Sequence, residues 1–177
     1  MTHVGFLRAV NVGRRRVQMA RLAEIVGSLG YADVWTHINS GNVVFDGSGE
    51  RSALEHRIET ALEDEFGFEV TTFVRTVPEL RRVLALEPFS LAARDTYFVT
   101  FLKTRPPAEE VAALKALGTD FDTLAVDGRE VHWRMRGKSS DTKLTSKAWA
   151  DIVGKDRSTS RNVNMLRKLI AKIDAPR

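Results

Sequence analysis

The segment Ile38-Asn39-Ser40-Gly41-Asn42-Val43-Val44-Phe45 decides how the first half of the chain is read. Ser40-Gly41 lies between two strand-like runs, Val34–Asn39 and Asn42–Asp46, so the segment predicts a β-hairpin. A tight turn accounts for the glycine. It does not require an asparagine on each side, and Asn39 and Asn42 therefore pose a question: they serve the turn alone, or they face a ligand.

Outward from the hairpin, the hydrophobic period alternates between strand and helix. Val4–Val10 reads as a buried strand. Over Gln18–Leu29, Met19, Leu22, Val26 and Leu29 form one helical stripe, and Gly30 suits the position just past a helix end. Ser52–Phe66 is a second helix, with Leu54, Ile58, Ala61, Leu62 and Phe66 inward and Gly67 ending it. Its outer face, Glu55, Glu59 and Glu63, is expected to be solvated. Val70–Arg75 completes a β-α-β-β-α-β order, that of a ferredoxin-like unit. Thr76 and Glu79 have capping-box spacing, with Pro78 in the first turn of a short helix.

The second half begins the same way. Thr96–Leu102 is strand-like, Pro106-Pro107 opens a helix to Leu117, and Phe121–Val126 and Arg129–Met135 flank Asp127-Gly128, a strong hairpin signal. The tail is expected to be helical over Thr142–Val153 and Arg161–Ile173. The predicted fold class is α+β: a tandem of two βαββ-type halves, residues 1–88 and 89–177. The first half is ferredoxin-like, the sheets are antiparallel or mixed with helices on one face, and the C-terminus is helical.

Composition limits the function classes. The 177 residues are 43% hydrophobic and 28% charged, with no cysteine. Disulfides, thiolate chemistry and cysteine-based zinc sites are thereby excluded. No run approaches the roughly 18 apolar residues of a membrane span. The N-terminus enters a strand pattern without the zones of a signal peptide, so a cytoplasmic location is expected. The net charge of +4 is uneven. Residues 1–90 carry 10 Lys+Arg against 12 Asp+Glu, whereas Arg129 to the end carries 13 against 5. A basic C-terminal third fits an anionic partner or a plainly solvated surface.

Three features together, FLRAVNVGRRRVQMARLAEIVGSLGYADVWTHINSGNVVFD near the N-terminus, the β-α-β-β order and TSRNVNMLRKL near the end, resemble the bacterial family termed domain of unknown function 1697. The similarity is densest at Leu7–Gly13, Met19–Gly30 and Ile38–Phe45. It implies a tandem α+β architecture with a ferredoxin-like first half and no assigned activity. Members often carry a second Gly and an Asn after the first Gly. Here Arg14-Arg15-Arg16 follow Gly13.

Two candidate sites emerge. A right-handed crossover makes the first two strands parallel, so the loop after the first strand and the hairpin turn share one sheet edge. Arg8, Asn11, Gly13, Asn39, Ser40, Gly41 and Asn42 are expected to cluster there, where a helix N-terminus favours an anion. The plainer reading is local turn chemistry at the asparagines and a positive φ at Gly13. The second site is the basic segment before the last helix: Lys155, Arg157, Ser160, Arg161 and Asn162. A serine capping that helix beside three cations would suit a phosphate; the plainer reading is an N-cap with solvated charges. Its Thr159-Ser160-Arg161-Asn162 also matches a motif of the resembled family. Arg134, Arg136, Lys138, Lys143 and Lys147 near Trp133 and Trp149 combine cations with aromatics, although both tryptophans also fit core stripes.

Catalytic machinery is not legible. The four histidines lack metal spacing, paired carboxylates are absent, and Ser140-x-x-Lys143 has no companion motif. No cofactor or metal is implied, and the oligomeric state is open. Three functions remain: a cytoplasmic module binding a nucleotide, nucleic acid or phosphorylated small molecule; an enzyme on a small polar or phosphorylated substrate at the same edge; or an assembly protein with no small ligand.

Overall fold

A computed structural model describes residues 1–176. The chain separates into two compact units, Met1–Leu80 and Arg81–Arg177. The first contains β1 (Thr2–Leu7), α1 (Met19–Ser28), β2 (Ala32–Thr36), β3 (Asn42–Asp46), α2 (Arg51–Phe66) and β4 (Thr72–Thr76). The helix α3 (Val77–Leu86) follows β4 directly. The second contains β5 (Thr96–Leu102), α4 (Ala108–Ala116), β6 (Asp122–Asp127), β7 (Glu130–Met135), a 3-10 turn at Ser139–Asp141, α5 (Ser146–Val153), β8 (Ser158–Asn162) and α6 (Val163–Asp174).

Each unit holds one four-stranded sheet, ordered β2-β3-β1-β4 and β6-β7-β5-β8, and every neighbouring pair is antiparallel. The mixed-sheet alternative therefore falls away. Because β1 and β2 both run opposite to β3, they are parallel to each other, as the split β-α-β crossover requires.

The expected helical C-terminus forms as α5 and α6, with one strand between them that the sequence reading did not include. Ser158–Asn162 is an edge strand paired with β5 from Leu102↔Ser158 to Phe98↔Asn162. The short Thr-Ser-Arg run finds backbone partners along β5 on one side, which a fraying helix start would not supply. The second unit thus also completes β-α-β-β-α-β, and the duplication is fuller than two βαββ halves. Register places Val4 opposite Arg75 in one sheet and Val99 opposite Arg161 in the other. On that alignment Val4-Gly5-Phe6-Leu7-Arg8 matches Val99-Thr100-Phe101-Leu102-Lys103. Arg75-Thr76-Val77 likewise matches Arg161-Asn162-Val163. Both arginines are buried, and Arg161 is drawn down to about 10 by loss of hydration.

In the first unit, α1 and α2 cover one sheet face. Leu22, Ile25 and Val26 meet Leu54, Ile58 and Leu62 over Leu7, Val43, Phe45 and Val74. Each such side chain, fully buried, contributes about 1.5–3 kcal/mol. The other face, with Val4, Phe6, Val44, Phe73 and Arg75, is also buried. In the second unit, Leu114, Trp149 and Val153 pack with Leu102, Leu124, Val131, Trp133 and Met135. Trp133 lies 5.5 Å from Trp149, centroid to centroid, and donates to Asp122 at 2.8 Å, so the two tryptophans are core.

The acidic face of α2 is not merely solvated. β4 is an edge strand, and its outward N–H groups need acceptors. Thr72 N–H donates to Glu59 (2.8 Å), Val74 N–H to Glu55 (2.9 Å) and Thr76 N–H to Glu79 (2.8 Å). The spacing explains the fit. Four residues of helix rise about 6 Å and two residues of strand about 6.7 Å, so carboxylates at i and i+4 meet alternate strand amides. Thr76 and Glu79 also complete the expected capping box, with Glu79 N–H donating to Thr76 Oγ1 at 3.3 Å.

Glu55→Ala orphans a buried strand amide and the Arg51 guanidinium paired with it. It is expected to cost about 1–3 kcal/mol in urea unfolding, whereas Glu63→Ala should stay within about 0.5 kcal/mol. Equal losses would reject the edge-capping role.

Candidate functional site

The predicted edge of the first sheet forms as a closed set of contacts. Gly41 C=O accepts from Leu7 N–H at 2.8 Å, and Thr71 C=O accepts from Arg8 N–H at 2.8 Å. The loop after β1, the β2–β3 turn and the entry to β4 therefore meet at one end. Gly41 has φ +77, and a Cβ there would sit 2.5 Å from a Val10 methyl and 2.9 Å from Leu7 Cβ. Only glycine fits both the left-handed backbone and the close approach.

The side chains of Asn11 and Asn42 are engaged inside the loops, and that of Asn39 is exposed. The Asn11 amide forms a two-way pair with Val17, accepting from Val17 N–H at 2.9 Å and donating to Val17 C=O at 3.1 Å. It also donates to Asn39 C=O at 2.8 Å. Asn42 is fully buried and donates to His37 C=O (2.8 Å) and Ser40 Oγ (3.0 Å). Asn39 remains an exposed side chain whose backbone carbonyl anchors the β1–α1 loop. Asn11 sits at φ +57 and Gly13 at φ +61, so the loop is bent through left-handed residues and then clamped by the Asn11 amide.

This clamp carries an exposed cationic tip. Arg14, Arg15 and Arg16 are solvent-facing, and Arg8 is half-buried at the strand end. Arg15 lies over the Phe68 ring at 5.3 Å and reaches Glu69 C=O. Arg14 and Arg16 have no hydrogen bond or ion pair among the described residues. α1 begins beside them with Gln18 at its N-cap and no side-chain cap, leaving the positive end of the helix open. The triplet replaces the residues that would complete the resembled family's Gly-Asn pattern, and the candidate set drawn from the sequence did not include it. Its signal was the Arg14-Arg15-Arg16 run itself.

The second candidate segment is reshaped by β8. Ser160 Oγ is committed to Thr100 Oγ1 at 2.7 Å, and Arg161 is buried, donating to Thr159 Oγ1 and Ser160 C=O at 2.9 Å each. Asn162, not a serine, caps α6 by accepting from Asn164 N–H at 2.8 Å. Ser160 and Arg161 are thus built into the sheet rather than into a helix cap. Lys155 and Arg157 stay exposed, Arg157 donating to Thr104 at 3.2 Å. They share the sheet end that carries Arg105, where a hollow of about 430 Å³ is lined by Arg105, Pro106, Val126 and Gly128.

Two buried histidines lie away from these ends. His132 is fully buried, with Nδ1 2.5 Å from the Tyr97 hydroxyl. Burial lowers its pKa, and lowers that of His3, while it pushes the Tyr97 phenol up to about 12. Below pH 6.5 the unfolded chain protonates these imidazoles before the folded one does. Stability is therefore lost as pH falls from 6.5 towards their lower folded values. Among the described residues, no group of three or more His, Asp or Glu gathers as a metal site, and no helix is long and apolar enough to cross a membrane.

Two outcomes are expected. Asn11→Ala should speed trypsin cleavage at Arg14–Arg16 in the native protein severalfold, measured against Asn39→Ala, which keeps the carbonyl contact; equal rates would reject the clamp. Urea midpoints should fall between pH 7 and pH 5, and His3→Gln/His132→Gln should flatten that dependence; an unchanged slope would reject the buried neutral histidines.

Comparison with known proteins supports the architecture. Over 98% of both chains the fold superposes on the structure of conserved bacterial protein SP0830 from Streptococcus pneumoniae, with a TM-score of 0.77 and 19% sequence identity. That similarity concerns the fold alone. No curated protein matches the sequence. The family model described as protein of unknown function, DUF1697, matches residues 1–132. The chain belongs to that family, as its Leu7–Gly13 and Ile38–Phe45 segments had implied.

Proposed function

We propose that the protein is a cytoplasmic binding module for the phosphate backbone of nucleic acid, engaged first through the loop end of the Met1–Leu80 unit. The observation that carries the reading is the pair Arg14 and Arg16, exposed and without partners among the described residues, on a loop clamped by Asn11. Guanidinium groups are suited to phosphate, which they hold through paired N–H donors. Arg8, Arg15 and the uncapped start of α1 add positive potential at the same end. The clamp also limits the ordering entropy that binding would otherwise cost.

An extended polyanion fits this end better than a single nucleotide. The polar side chains expected to orient a small ligand, Asn11 and Asn42, are committed to backbone carbonyls. What the tip offers is a row of cations. Taken by itself, the second unit carries exposed cations of its own at one sheet end, Lys155, Arg157 and Arg105.

The test is fluorescence anisotropy with labelled 20-mer duplex and single-stranded nucleic acid at 50 and 200 mM salt. Contact with about four phosphates predicts a loss of roughly a hundredfold in duplex affinity over that range. Arg14→Ala/Arg16→Ala should reduce the slope of log affinity against log salt by about 2. Absence of binding at 50 mM, or a slope unchanged by the double substitution, would overturn the reading.

A further inference from the structure

The cationic tip also carries two exposed aliphatic side chains. Val12 is 65% exposed and Ile38 is 52% exposed, on the two loops that Asn11 ties together through Asn39. Ile38 is unusual in its backbone as well. It sits at φ +51, in the left-handed region that a β-branched residue enters only under constraint. Asn or Gly would occupy this position with less strain. Ile38 therefore leaves half of its surface to solvent and gives folding no relaxed backbone. Its loop is nonetheless held firmly: His37 N–H donates to Asn42 C=O at 2.9 Å, and the Asn42 amide returns to His37 C=O. A firmly bonded turn thus presents an apolar side chain to solvent, and the loop tied to it through Asn11 carries Arg14, Arg15 and Arg16.

We infer that Ile38, with Val12 on the loop tied to its own, is a wedge that inserts between base steps of a duplex whose phosphates the arginines hold. The inference rests on the nucleic-acid reading above and names its substrate class. Charge selects an anionic partner, and the two aliphatic tips require that partner to have an apolar interior within reach of its phosphates. Stacked bases meet both demands, and aliphatic wedges flanked by arginines are a known physical route to unstacking a step. Single strands are the weaker fit. Their binding draws on aromatic platforms, and neither Ala9–Val17 nor His37–Gly41 contains Phe, Tyr or Trp.

The experiment uses the full chain and a 20-mer DNA duplex with 2-aminopurine at its centre. Binding of the unaltered protein should raise 2-aminopurine emission severalfold as the base unstacks. Ile38→Asn should abolish that rise and weaken binding about tenfold, leaving the salt slope as it was. Because Asn tolerates the left-handed backbone, the variant should unfold at the same or a higher urea concentration, so lost binding cannot be ascribed to lost folding. Salt-sensitive binding with no emission change, or with Ile38→Asn binding normally, overturns the wedge while the phosphate reading stands. No duplex binding at 50 mM salt overturns both. Vesicles of phosphatidylcholine with one-third phosphatidylserine provide the remaining arm. Ile38-dependent capture by vesicles, without a duplex response, overturns the wedge and assigns the apolar pair to a membrane surface.

Discussion

At position 41 two chain segments approach so closely that no side chain fits between them. Gly41 offers its carbonyl to Leu7, and a methyl group there would overlap Val10 and Leu7. The contact ties the hairpin turn to the end of β1. It is possible only because β3 lies between two parallel strands, which brings the ends of β1 and β2 to the same side of the sheet. The β1–α1 loop can then be closed by a single amide, Asn11, that bonds both to its own loop and to the turn. The exposed arginines and the strained Ile38 are consequences of this closure. Each is held outward because the polar groups beneath it are satisfied.

The same requirement, that every backbone donor find an acceptor, organises the opposite side of the sheet. β4 would present a row of open amides, and the carboxylates of Glu55, Glu59 and Glu79 occupy them. A helix laid along a strand has nearly the pitch needed for this. Acidic residues that look like solvated surface thus protect an edge that could otherwise pair with another chain. The second unit repeats one arginine contact of the first: Arg75 donates to Val74 C=O and its register equivalent Arg161 to Ser160 C=O, each at 2.9 Å. Arg161 adds a bond to Thr159 Oγ1, and His132 pairs with Tyr97. The two halves thus share a topology, a few register positions and this buried arginine.

Much of the fold was legible in the sequence. Apolar period and punctuating glycines located α1, α2, both hairpins and the capping box at Thr76. The two C-terminal helices were legible too, but the strand between them was not. Ser158–Asn162 carries hydroxyls and an arginine, a composition that reads as a helix cap when only local neighbours are considered. The strand forms because β5 lies alongside with free edge groups, information that resides some sixty residues earlier in the chain. The match of Arg75-Thr76-Val77 to Arg161-Asn162-Val163 was present throughout, but register had to supply the alignment. Of the candidate site, Arg8, Asn11 and the 39–42 turn were gathered as expected, while Ser160 and Arg161 proved to be parts of a sheet.

The sequence by itself determined every element but β8, the repeated βαββ order and the convergence of the β1–α1 loop with the Ser40-Gly41 turn, because these follow from periodicity, turn chemistry and crossover handedness. Only the tertiary structure decided what each polar side chain does. Asn42 and Glu55 are spent on backbone groups, whereas Arg14 and Arg16 are left to solvent. That division depends on which donors and acceptors the folded chain places within three ångströms of one another, and residue type and spacing along a strand or helix do not encode it.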